Sequence, residues 1–77
     1  MQADPPLQQI DSRDQVEPGS AAYYLWMIYE AGRANYKSYW HARGPVDSRG
    51  VAAVFHDLAK QADRGLEALG FAVPERL

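Results

Sequence analysis

Seven consecutive residues, Tyr23-Tyr24-Leu25-Trp26-Met27-Ile28-Tyr29, are all apolar or aromatic. Each residue of a helix turns the direction by about 100°, so such a run clothes every side of the cylinder. A surface helix needs only one apolar stripe. Around the run, apolar residues recur at helical spacing at Ala21, Leu25, Ile28, Gly32, Tyr36 and Tyr39, with Tyr29 and Trp40 at the edge of that face. Aromatics and isoleucine also favour strands. The helical spacing, however, continues through Tyr39, and a lone strand would have no partner. The segment is therefore expected to be a helix carrying more apolar surface than one short chain uses. A second copy, another protein or the arms of the same chain must cover the surplus.

Size sharpens that demand. Seventy-seven residues make one small domain, and a core of this size rarely supplies more than about 3–5 kcal/mol. There is no cysteine, so disulfides and thiolate metal sites are excluded. Oligomerisation or a tightly packed helical pair remains. The chain is 47% hydrophobic, which argues for a globular fold and against disorder. Its net charge of −2 argues against bulk affinity for nucleic acid but leaves room for a local basic patch. The longest apolar run, Ala21–Tyr29, falls far short of the ~20 residues that span a bilayer. The N-terminus has no basic segment of the secretory kind. A soluble cytoplasmic protein without membrane association is expected. Arginine outnumbers lysine, which hints at a GC-rich bacterial or phage genome.

The chain divides into three parts. Residues 1–19 form a polar, acidic arm with Leu7, Ile10 and Val16 as its large apolar residues after Met1. The arm is expected to be flexible or partly helical, with Asp4-Pro5 as a helix start and a turn over Pro5–Ile10. The alternative is that Leu7 and Ile10 fold back over the aromatic surface. Residues 20–71 form a helical hairpin. Ser20 caps a first helix over about Ala21–His41, and Gly44-Pro45 ends it. Asp47 or Ser48 caps a second over about Ser48–Leu69, and Gly70 closes that one in a left-handed turn. The second helix has an apolar face of Val51, Val54, Phe55, Leu58, Ala62, Gly65, Leu66 and Leu69. Residues 72–77 are a short tail. Helices joined by about five residues should lie antiparallel, pairing positions whose numbers sum to roughly 90. That sets Ile28 opposite Ala62, Leu25 opposite Gly65 and Gly32 opposite Leu58, large against small at each level. The fold class expected is all-α, a two-helix hairpin assembling into a four-helix bundle or larger oligomer.

Trp26, Met27, Tyr23 and Tyr24 fall outside this hairpin and, with Glu30, make the expected protein interface. Aromatics and Met are enriched in interface centres, and Trp and Tyr are frequent hot spots. A second candidate is the basic, aromatic segment 33–43, which contains no acid. Arg33, Tyr36, Lys37, Trp40 and Arg43, with Arg49 across the turn, are the residue types that bind phosphate and stack on bases. The same charges also suit the C-terminal end of a helix, where cations oppose its dipole. Phe55-His56-Asp57-Leu58-Ala59-Lys60 resembles the His-Asp signature of HD-domain phosphohydrolases over six residues. Those enzymes draw further ligands from several other helices, and the one other histidine here is His41, so the likeness is read as coincidental. No phosphate loop, nucleophile elbow or metal-ligand spacing is present, and no cofactor is expected. The function expected is that of a small non-catalytic interaction module, an adaptor, inhibitor or regulator of a larger protein. Binding of a nucleic acid, nucleotide or other anion through residues 33–43 is the alternative.

Overall fold

The computed structural model describes residues 6–42 and 47–77. The expected helix start at Asp4-Pro5, the Gly44-Pro45 stop and Arg43 lie outside the described residues. Two helices dominate and pack against each other: α1, Ala21–His41, and α2, Ser48–Ala68. Their starts are chemically specified. The Ser20 hydroxyl accepts from the Tyr23 N–H at 3.2 Å, and Asp47 accepts from the Gly50 N–H at 3.0 Å. Each cap satisfies a donor that the first turn leaves without a partner. At the far end of α2, Gly70 takes φ 93°, and its N–H donates to the Glu67 carbonyl. That left-handed turn sends the chain back along the hairpin.

The terminal segments do what their composition barely announces. Gln8–Gln9 forms strand β1, paired in parallel with β2, Phe71–Ala72. The Gln8 and Ile10 N–H groups donate to the Gly70 and Ala72 carbonyls at 2.9 and 3.0 Å. So the expected helical turn over residues 5–10 is replaced, in its described part, by an extended segment. A 3-10 turn over Arg13–Gln15 follows, closed by the Gln15 side chain accepting from the Asp11 and Ser12 N–H groups. This geometry turns Ile10 and Val16 inward. They join Trp26, Tyr29, Leu66 and Val73 in one buried cluster. The described part of the arm is thus one half of a clasp, and the C-terminal tail is the other half.

The helix contact is tight and slightly offset from the sequence expectation. A Cβ on Gly65 would meet the Leu25 side chain at 3.0 Å, as the predicted pairing requires. Gly32, in contrast, faces the Phe55 carbonyl and Ala59, at 2.9 and 3.0 Å from a built Cβ, and Leu58 is exposed. Buried positions on α1 are Ala22, Trp26, Tyr29 and Gly32, and on α2 Ala52, Ala59, Ala62, Asp63 and Leu66. Both sets are turned by about one residue from the apolar faces read in the sequence.

Candidate interaction surface

The offset decides which surfaces remain. Trp26 was expected outside the hairpin as the centre of an interface. It is 4% exposed, enclosed in the cluster that holds Ile10, Val16 and Val73. An indole of that size lying beside the helix contact is the largest apolar group the terminal segments can cover. Tyr29 is buried beside it, with ring centroids 5.2 Å apart. The Tyr29 hydroxyl donates to the Glu75 carbonyl at 2.7 Å and accepts from the Glu75 N–H at 3.2 Å. One buried phenol therefore pins the tail to α1.

Ionic contacts hold the same tail from both sides. Arg33 and Lys37 lie 3.5 and 3.3 Å from the Glu75 carboxylate, and Arg33 also donates to the Tyr29 hydroxyl. Arg76 pairs with Asp63 and Glu67 of α2. Its hydrogen bond to Glu67, with the Asp63 charge, raises the guanidinium pKa above the ordinary arginine value. Asp63 is buried, and one of its carboxylate oxygens meets no donor among the described residues.

Of the expected interface, Tyr23 is half-buried against the core cluster and stands edge-on to Tyr24, with centroids 5.5 Å apart. Tyr24, Met27 and Glu30 are exposed. Tyr24 is 57% exposed and has unexpected company. Ile28 and Tyr39 of α1, with Val54 and Leu58 of α2, are exposed as well. By helical spacing these lie on the side of the helix pair turned away from Trp26 and the clasp, with Met27 at the rim. Leu25, Ile28, Leu58, Gln61 and Ala62 line a shallow groove of about 240 Å³ between the helices there. Leu69, just past α2, is exposed too, but it lines a cleft with Val16 and Phe71 of the clasp. Ile28, Val54, Leu58 and Leu69 were placed in the apolar faces by their spacing, but not recognised as surface.

Charge follows the opposite rule. By helical spacing Glu30, Arg33 and Lys37 of α1 and Lys60, Asp63, Arg64 and Glu67 of α2 lie toward the clasp side or the outer edge, and Arg49 sits over Trp40. The open face carries the neutral polar groups Asn35, Ser38 and Gln61, with the charged Asp57 at its margin, where its carboxylate accepts from the Gln61 side chain at 2.8 Å.

The basic, aromatic stretch splits in two. Arg33 and Lys37 are matched by Glu75. Toward the loop end, Tyr36 lies 6.1 Å from Trp40 and 5.0 Å from His56, centroid to centroid, and the Arg49 guanidinium sits 5.2 Å over the Trp40 ring. Trp40 is exposed, and Tyr36 and His56 are half-buried. No group of three or more metal-ligating side chains occurs among the described residues. No described helix is long and apolar enough to cross a membrane. No family model, curated protein or solved structure matches this chain, so function is inferred from its surfaces.

Proposed function

We propose that this chain is a small non-catalytic protein-interaction module that docks through the open face of its helical hairpin. The observation that carries the reading is the distribution of charge. The face holds Tyr24, Ile28, Val54 and Leu58 in the open, and charge is confined to its margin, where Asp57 accepts from Gln61. Apolar patches of this extent mark interaction sites or aggregation hazards on small proteins, and depletion of charge is the compositional mark of an interface centre. Leu25 against Gly65 and Gly32 against Ala59 support an antiparallel hairpin, which presents both apolar stripes side by side as one platform. Trp26 belongs to the scaffold of the module and Tyr24 to its docking surface.

The test is photo-crosslinking in the native host with a benzophenone side chain at position 58, and at the exposed Arg64 on the clasp side as an off-face comparison. Adducts from position 58 with few from position 64 are expected. Equal labelling at the two positions, or none at 58, would remove the reading.

A second reading has one specific observation behind it, the exposed Trp40 ring with Arg49 over it and Tyr36 and His56 beside it. A nucleotide would stack its base there on the aromatic rings, with its phosphate toward Arg49. A low-salt titration with short single-stranded DNA and RNA decides it. We expect no binding tighter than about 10⁻⁴ M, the weak end of non-specific affinity.

A further inference from the structure

We infer that the occupant of the open face is a second copy of this chain, joined face to face about a two-fold axis, so that two hairpins make a four-helix layer pair with the clasps on its outer sides. This rests on the interaction reading above and names its partner.

Thickness is the first ground. The described chain measures 54 × 30 × 15 Å. The backbone of a helix is about 5 Å across from Cα to Cα, so the shortest dimension holds the helix layer and the clasp beside it but no second layer of helices. Stable domains close a core between two layers. Here the clasp caps part of one side of the layer with Ile10, Val16 and Val73. Among the described residues, nothing caps the other side.

Charge is the second ground. A protein face evolved for a different, charged partner carries the opposite charge, because complementary potentials steer and orient the encounter. This face is apolar or neutral at its centre, and the charge beside it, Asp57, is held at the margin by Gln61. A neutral face is compatible with itself, whereas any charge near a two-fold axis would meet its own copy.

Area is the third ground. Two helices of 21 residues run about 30 Å. At a spacing of about 9 Å they present a platform close to 20 Å wide, or about 600 Å². That approaches the ~800 Å² each partner gives to a standard interface. The groove between Ile28 and Leu58 gives the surface relief for side chains of the facing copy to enter.

The experiment is light scattering of the whole chain from micromolar to submillimolar concentration, with circular dichroism to confirm helix content. Wild type is expected to reach twice the 8.6 kDa chain mass. Leu58→Glu on α2 and Ile28→Lys on α1 are each expected to weaken the dimer by at least about 100-fold, as truncated hot spots do. Arg64→Ala, on the clasp side beside Asp63 and Glu67, is expected to stay within about 3-fold of wild type. Both face positions are already exposed, so the variants should remain helical. A wild type that is monomeric throughout, or variants that dimerise as tightly as wild type, would overturn the second copy as occupant. Monomeric wild type with adducts to other proteins from position 58 would keep the docking face and change its partner. Monomeric wild type without adducts would remove both.

Discussion

Gly32 and Gly65 both sit in the helix contact, yet they should respond differently to a methyl group. At Gly32 the added Cβ meets backbone, the Phe55 carbonyl oxygen and the Ala59 nitrogen, at 2.9 and 3.0 Å. The helices would have to part, and Gly32→Ala is expected to destabilise by about 1–3 kcal/mol through overpacking. At Gly65 the Cβ meets the end of the Leu25 side chain, which can change rotamer. Replacing a poor helix former also gains up to about 1 kcal/mol, so Gly65→Ala should be close to neutral in a urea melt. Equal losses at both positions would contradict this packing. Trp26 makes the opposite kind of prediction. Truncation of a buried indole costs about 3–5 kcal/mol, so Trp26→Ala should lower stability on that scale without being a direct probe of association. The sequence made Gly65 opposite Leu25 legible because size complementarity is local. It left Trp26 misplaced because spacing on one helix cannot reveal that segments some ten residues before α1 and just after α2 return to cover its flank.

At the scale of elements, the caps were readable and the clasp was not. Ser20, Asp47 and Gly70 each have a side chain or backbone freedom that dictates its role at a helix end, and both helices begin where those signals place them. Strands β1 and β2 are two residues each, too short for any periodic signal, and they exist because the other terminus supplies the partner. The two halves should therefore open together. Tyr29→Phe removes the hydroxyl that bonds both Glu75 backbone groups and is expected to cost about 0.5–1.5 kcal/mol. It should also speed exchange of the Gln8 and Ile10 amides, whose acceptors lie at Gly70 and Ala72 in the segment released. Unchanged exchange at these amides would mean that the arm is held independently of the tail. Arg76 adds no pH switch in the ordinary range. With a pKa raised above arginine's own by Glu67 and Asp63, the guanidinium stays charged through the ordinary range and gives up its proton, and with it these pairings, only as pH rises into strong alkali. The segment 33–43 was legible as basic and aromatic. Its division into paired cations beside Glu75 and a ring cluster near Arg49 depends on the tail's path, which the segment does not encode.

The whole molecule is a helical layer with two unlike sides. One is closed in part by its own terminal segments over Trp26, and the other exposes Tyr24, Ile28, Val54 and Leu58, with Asp57 at its margin. The apolar faces read from spacing straddle the helix contact and the open side: Leu25, Gly32, Ala62 and Gly65 meet or are buried between the helices, and Ile28, Val54 and Leu58 are exposed. That offset places exposed apolar surface on both helices instead of on the aromatic run alone. Carbene footprinting of wild-type chain at micromolar and submillimolar concentration tests this most directly, because association is concentration-dependent while the clasp is not. The account predicts weak labelling of Trp26 at both concentrations, and labelling of Tyr24, Ile28 and Leu58 that is strong when dilute and suppressed when concentrated. Strong labelling of Trp26, or open-face labelling that does not change with concentration, would contradict it.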